Sequence, residues 1–386
     1  MRAPHPDDFS SRLRSPAVAA RVGVWLGVSF VLCFLTGLVS HWAQLPSPAI
    51  PFPTGPVWGY RATQGLHVVS GCAAVPLLLV KLWAVYPRLF ERVDLRAGRQ
   101  AALVGLERAS IGVLVASAVF QLTTGLANAA QWYPWREFSF RTAHYALAWV
   151  AIGALVLHVA VKLPVVRAAL AADVDDTALD RPGAQEAGAV SRRVLLRGTW
   201  AAAGVAVLAT AGGTVPWLRR VSVLAVRTGE GPGGVPINKT AAAAGVLATA
   251  TDPGWALDVR VDGAVAARLT LADLRALPQH TVDLPIACVE GWSAQGRWSG
   301  VRVRDVLAAA GAAGGTDVAV TSLQGRGPFI RTVLPAAFAD DERSLLALDL
   351  AGEPLDLDHG FPCRVIAPNR PGVLQTKWVA SLEVTT

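Results

Sequence analysis

Two hydrophobic patterns divide the chain. Through residue 218, stretches free of Asp, Glu, Lys and Arg cover residues 22–60, 62–80, 109–135, 142–161 and 198–218, each close to or above the roughly 20 residues of a spanning helix. The first is too long for one helix. Its tail carries Pro46, Pro48, Pro51 and Pro53, which cannot continue a helix, so the first span ends near Trp42 and a loop follows. After residue 218 the pattern shortens to alternating runs such as 257–263, 318–321 and 379–384, which read as strands. Helical stretches intervene at 270–277 and 303–310. The pattern predicts an all-α transmembrane four-helix bundle plus a fifth membrane helix, followed by a mixed α+β domain.

Composition agrees with this division. Of 386 residues, 53% are hydrophobic and only 16% charged, with mean hydropathy +0.41, which is wrong for a soluble chain of this length. The net charge of +7 is not evenly spread: residues 1–218 hold 19 Lys and Arg against 11 Asp and Glu, and residues 219–386 hold 16 against 17. Basic residues that flank apolar spans point to membrane topology, and no nucleic-acid partner is expected. The N-terminus and segments 81–108 and 162–197 carry 16 basic residues and the two opposite loops carry three. The positive-inside rule therefore predicts a cytoplasmic N-terminus in a bacterial-type cytoplasmic membrane, with the C-terminal domain outside. Trp42, Trp58, Trp132, Trp135 and Trp217 then fall at the outer boundary as an aromatic belt, or serve as large packing residues. The expected domains are 1–170 (four spans), 171–190 (a cytoplasmic linker rich in Asp, Ala and Gly), 191–218 (the fifth helix) and 219–386.

Chemistry concentrates in the last of these. The run Cys288-Val289-Glu290-Gly291-Trp292-Ser293, followed by Trp298-Ser299-Gly300-Val301, resembles the molybdopterin-binding domain of the sulfite oxidase superfamily, especially the catalytic subunit of periplasmic methionine sulfoxide reductase. The resemblance covers residues 238–384. It implies a molybdenum-molybdopterin cofactor with Cys288 as the protein's ligand to the metal. A thiolate is a soft anionic ligand suited to such a metal, and a lone Cys on an exposed loop beside Gly and Trp is placed to ligate. A second run, His359-Gly360-Phe361-Pro362-Cys363-Arg364 with Gln375-Thr376-Lys377-Trp378, looks like the family's closing pterin-binding stretch. By that resemblance His359, Arg364, Gln375, Thr376 and Lys377 hold the pterin and its phosphate, with Thr321 or Ser322 and Asn238 as looser matches. Arg offers a bidentate fork and Lys a point charge to such a phosphate. Cys363 is expected in the core, and no disulfides are expected. Ser191-Arg192-Arg193 before an apolar stretch resembles an internal twin-arginine export signal, or is positive-inside charge.

Histidines mark the membrane half, where an ionisable side chain is a functional candidate. His144 and His158 lie 14 residues apart on the fourth span, about 21 Å along one face, and His67 opens the second span. The arrangement resembles membrane b-type cytochromes, which implies haem b, one or two, with His67 and His144 as an axial pair. His158 lacks a histidine partner: the residue 14 beyond His67 is Lys81. His158 either has an unconventional partner or is an ordinary core histidine.

These features together predict a membrane-anchored molybdopterin-dependent oxidoreductase. It would transfer an oxygen atom on a small S- or N-oxide or an oxyanion, with electrons exchanged through haem b with quinone or another carrier. Two other readings stand beside it. The helices could be a haem-free anchor docking a separate cytochrome, or the whole a non-enzymatic pterin-fold binding module on a stalk.

Overall fold

A computed structural model of the chain describes residues 8–48, 51–90, 98–133, 139–181, 184, 190–225, 231–312 and 314–385. Trp135, His5 and part of the 171–190 linker lie outside the described residues. The contacts form two compact units. One comprises residues 1–37, 66–212 and 218–225, and the other residues 38–65, 213–217 and 226–386.

The first unit is helical. Its elements are α1 (Pro16–Ala43), α2 (Gly59–Val85), α3 (Arg99–Ala129), α4 (Phe140–Ala171) and α5 (Arg192–Thr210), with the outermost turns of α1 and α2 counted in the other unit. All five are long and apolar enough to cross a membrane. Ser139 and Ser191 start α4 and α5 by accepting the Thr142 and Val194 N–H groups, which would otherwise lack acceptors. Leu79, Leu106, Val156 and Val205 are more than 60% exposed, which is what a lipid-facing surface requires and a water-facing one penalises. Val18 and Val22 of α1 pack on Leu77 of α2, and Leu195 and Leu196 of α5 join them. Arg21 of α1 donates to the Ala169 and Ala172 carbonyls at the end of α4.

The segment after α4 is tied down by the arginine pair that follows it. Buried Arg192 binds the Val174 and Asp176 carbonyls and the Asp180 carboxylate, while Arg193 pairs with Asp173 and Asp175. These arginines therefore have structural partners within the chain. Helix α5 ends at Thr210, short of the apolar stretch's end at 218. The chain turns back there, and a Cβ on Gly212 would lie 2.5 Å from the Ser222 Cβ, so glycine is needed for the close approach.

The second unit is built on two five-stranded sheets. Strands β1 (Ala256–Val261), β2 (Ala264–Thr270), β5 (Val318–Ser322), β6 (Arg331–Leu334) and β10 (Val379–Val384) form one, in the order β2-β1-β10-β5-β6, with β1 and β10 parallel. The other joins β3 (His280–Ala287), β4 (Ser293–Arg302), β7 (Leu345–Leu350) and β8 (Glu353–Pro354), with β9 (Arg364–Ile366) also paired to β7. Helices Leu271–Ala276 and Val303–Ala309 stand close to the predicted stretches. Val259, Val301, Val320, Leu348, Val365 and Leu382 share one core, and Cys363 lies in it fully buried. All four cysteines are free thiols.

The loop between α1 and α2 belongs to this unit. Asn369 accepts the Tyr60 N–H and donates to the Pro53 carbonyl, Arg343 donates to the Thr54 carbonyl, and the Val333 N–H donates to the Pro46 carbonyl.

Candidate active site

Strands β3 and β4 form a hairpin whose connection, residues 288–292, begins with Cys288. The turn closes on itself: the Cys288 N–H donates to the Trp292 carbonyl at 2.8 Å and the Gly291 N–H to the Cys288 carbonyl at 3.1 Å. Gly291 holds φ of 80°, which a side chain would disfavour. Contrary to the exposed loop expected, Cys288 is 1% exposed. The tight turn folds its side chain in against Leu284, Ile286, Trp292 and Ala294. The Glu290 carboxylate accepts the Trp292 indole N–H at 3.1 Å and lies 3.8 Å from the Cys288 sulfur. Burial, with the Glu290 charge adding to it, pushes the thiol up to about 12.

A cluster of cations adjoins this turn. After the short turn Leu357–His359, Gly360 takes φ of 110°, and a Cβ there would lie 3.0 Å from that of Lys377 and 3.2 Å from that of Arg364. Glycine is thus required twice over, by conformation and by space, and its absence of side chain brings His359, Arg364 and Lys377 together. Arg364 lies over the Trp298 ring at 5.0 Å and donates to the His359 and Gln375 carbonyls. Lys377 donates to the Lys239 and Asp358 carbonyls at 2.9 and 2.7 Å. Burial pulls the Arg364 guanidinium down to about 9. Burial and then Arg364 pull Lys377 down to about 7, and burial, Arg364 and Lys377 bring His359 to about 4. Cys288 and Glu290 act on Lys377 in the opposite direction, which puts thiol, carboxylate and amine in one electrostatic neighbourhood.

The other sequence-predicted residues divide. Ser322 is buried and donates to the Lys377 carbonyl, which fixes the backbone that carries the amine. Thr376 is buried in a hydroxyl pair with Thr332, and the Gln375 carboxamide is engaged with the backbone of Ala367 and Arg370. Both hold the 364–377 segment in shape, and no contact points them into the site. Thr321 is half-buried on β5, and Asn238 is exposed beside Lys239. Sequence reasoning passed over Glu290 and Trp298 as a platform for Arg364, and left Arg370 between a substrate-pocket lining and a surface charge. Arg370 is buried, donates to the Val333 carbonyl, and has Nε and Nη1 unpartnered. Its signal, an Arg in an Asn-Arg-Pro-Gly turn, looks like a surface charge.

Residues 244–386 match the family described as oxidoreductase molybdopterin binding domain. The C-terminal segment is a molybdopterin-binding oxidoreductase domain. Over 152 residues the chain is 30% identical to mitochondrial sulfite oxidase of Rattus norvegicus, covering 33% of this chain and 28% of that one. It is 34% identical over 116 residues to YedZ1 of Azospira oryzae, named for a protein-methionine-sulfoxide reductase subunit, covering 30% of this chain and 43% of that one. It is 32% identical over 118 residues to the oxidoreductase YuiH of Bacillus subtilis, covering 30% and 58%. The chain therefore spans from about a quarter to a little over half of these relatives' lengths.

The molybdopterin domain's own residues fit the cofactor. Among the described residues, His359 Nε2 and Arg364 Nε are buried with no hydrogen-bond partner, and His359, Arg364 and Lys377 converge with no carboxylate hydrogen-bonded to them. Such an arrangement is costly until an anion satisfies it, and a pterin phosphate is such an anion. Among the described residues no three His, Cys, Asp or Glu side chains gather as metal ligands. A metal at Cys288 would thus take further ligands from the cofactor.

In the helical unit, His67 and His144 come together with ring centroids 6.2 Å apart. Two imidazoles so placed could hold a metal centre between them. His67 Nδ1 lies 3.0 Å from the Cys33 carbonyl and 3.2 Å from Thr36 Oγ1, and His144 Nδ1 lies 2.9 Å from Thr124 Oγ1. Both threonine hydroxyls donate to helix carbonyls, Leu32 and Phe120, and so accept from the imidazoles. Each Nδ1 then carries its proton and each Nε2 its lone pair, the tautomer an axial ligand needs. A Cβ on Gly37 would be 3.1 Å from His67 Cε1, and one on Gly125 3.6 Å from His144 Cε1. The repeated Thr36-Gly37 and Thr124-Gly125 pairs were a sequence signal not used.

Proposed function

We propose that this chain is a membrane-anchored molybdoenzyme that reduces a small S-oxide, drawing electrons from the quinone pool through a b-type haem held by His67 and His144. The observation that carries it is the buried Cys288 beside the Arg364, Lys377 and His359 cluster, and the relative named for methionine sulfoxide reduction favours an S-oxide. The balance is R2SO + 2 H+ + 2 e− → R2S + H2O: the S–O bond breaks, sulfur is reduced, and a quinol supplies the electrons and gives up its protons. When bound, the molybdenum-pterin group supplies a centre that exchanges an oxygen atom and two electrons with substrate.

The chain's residues do the rest. Cys288 would hold the metal through its thiolate, giving up the proton that burial otherwise keeps on the sulfur. Arg364 and Lys377 hold the phosphate end, and His359 Nε2 is free for a further polar contact to the pterin. The His67–His144 pair takes the haem, with Thr36, Thr124 and the Cys33 carbonyl fixing both rings. In this reading the N-terminus is cytoplasmic and the domain outside, as the basic residues predict.

The full chain, purified in detergent from a host able to make the cofactor, should carry one molybdenum per chain and show a reduced-minus-oxidised b-type spectrum. Cys288→Ser should lose S-oxide reduction by at least 10²-fold and keep the haem spectrum. Protein without molybdenum, or a serine variant of full activity, overturns the enzyme reading. Molybdenum without a b-type spectrum leaves the helices as a haem-free anchor.

A further inference from the structure

A second relation repeats the first with a shift of 14 residues. On α2, His67 is followed 14 residues later by Lys81, and on α4, His144 is followed 14 residues later by His158. Fourteen residues are about 3.9 helical turns, so each pair returns to the same face of its helix about 21 Å along. Helix α1 answers both positions alike. His67 Nδ1 binds the carbonyl of Cys33, four residues before Gly37, whose Cβ would lie 3.1 Å from the imidazole. Lys81 Nζ binds the carbonyl of Ala19 at 2.8 Å, four residues before Gly23, whose Cβ would lie 2.9 Å from the amine. Cys33 and Ala19 are 14 apart, as are Gly37 and Gly23. Helix α3 likewise carries Gly125 against His144, and Gly112 thirteen residues earlier with open space around it.

Lys81 also lies near enough to His158 to act on it electrostatically. The other charged groups that reach His158 are Lys162 and Glu107, which form an ion pair. Lys81 Nζ bonds the Ala19 carbonyl, and among the described residues no carboxylate is paired with the amine. An amine at membrane depth is expensive as a bare cation. Neutral, it is a nitrogen donor with a lone pair, and the Ala19 carbonyl orients its remaining N–H bonds much as the Cys33 carbonyl orients His67.

We infer that Lys81 and His158 are the axial ligands of a second b-type haem, in an amine–imidazole pair. This rests on the reading of the helical unit as a haem carrier. Coordination would displace a proton from Lys81; Gly23 lets the amine lie against α1, and Gly112 leaves open space on α3.

The test is haem stoichiometry and ligand-field spectroscopy on the full chain in detergent. The expected result is two haems per chain by pyridine haemochrome. Lys81→Ala and His158→Ala should each fall to one, and His144→Ala should remove the other. Lys81→His should keep two haems and shift the near-infrared charge-transfer band in magnetic circular dichroism from amine–imidazole to bis-imidazole, a change that damaged folding would not produce. One haem per chain, lost with His144→Ala and untouched by Lys81→Ala, overturns this inference alone. Two haems with spectra indifferent to Lys81→His overturn it too. No haem at all instead takes down the haem-carrier reading on which it rests.

Discussion

Lys377 shows how burial turns a side chain into a sensor of its ligand. Its amine donates to two carbonyls and its pKa is about 7 against an ordinary 10.5. Between those values the folded protein binds fewer protons at this site than the unfolded chain, so without cofactor stability rises as pH rises through 7. Cys288 acts the other way above 9.0, because its folded pKa is about 12. Between pH 7 and 9 Lys377 therefore acts without opposition from Cys288, and the Lys377→Met comparison separates its share from that of other buried lysines. Protein from a host unable to make the cofactor should melt at progressively higher temperature across that window, and Lys377→Met should flatten the slope. A bound phosphate restores the amine's charge, so the cofactor-loaded protein should show little slope; a flat profile for the cofactor-free wild type would mean the amine is not held as a buried cation. Gly360 makes a companion case. Its φ of 110° and the 3.0 Å approach to Lys377 predict that Gly360→Ala costs about 1–3 kcal/mol and spreads the cation cluster, read as lost molybdenum content in protein that still melts cooperatively.

At the scale of elements, what was legible followed from local periodicity. The five apolar helices, the alternation in β1, β5 and β10, and the Cys288 hairpin each announce themselves within about ten to twenty residues. Burial of Cys288 did not, because it depends on how a five-residue turn folds against β3 and β4, and Gly291 gives no sign of direction. Gln375 misled for a similar reason: an amide in a binding motif looks like a ligand contact until Ala367, eight residues away, is seen to occupy both its ends. The threonines beside His67 and His144 were hidden because each lies on a neighbouring helix, 31 and 20 residues distant. They carry a prediction. Thr124→Val removes the acceptor for His144 Nδ1–H while keeping the side chain's shape. The imidazole becomes a poorer donor to iron, so haem affinity should fall about 10–100-fold and the remaining haem's midpoint potential should rise. Retention of haem on dialysis and a potentiometric titration measure the two, and unchanged values in both would remove Thr124 from the haem's support.

On the scale of the whole molecule, domain membership does not follow sequence order, since residues 38–65 belong to the compact unit of the C-terminal sheets. The reason is hydrogen bonding. A proline-rich loop cannot satisfy its carbonyls through regular structure, and here Asn369, Arg343 and Val333 supply donors to Pro53, Thr54 and Pro46. Asn369 acts in both directions, since its oxygen also accepts the Tyr60 N–H at the first turn of α2. Phe52 packs edge-on against the Tyr60 ring at 5.5 Å, and Tyr60 in turn packs with Ala287, the residue before Cys288. Asn369→Ala would leave a buried N–H and a carbonyl unsatisfied at once, about 1–3 kcal/mol for each group. The full chain bearing it should lose several degrees in thermal midpoint and become cleavable between residues 45 and 58 by a protease that leaves the wild type intact. Asn369 has no contact with Arg364, Lys377 or His359, so molybdenum content at low temperature should be preserved. If the loop stays protected and the midpoint unmoved, the loop is held by packing around Tyr60, and Tyr60→Ala would then produce the cleavage that Asn369→Ala did not.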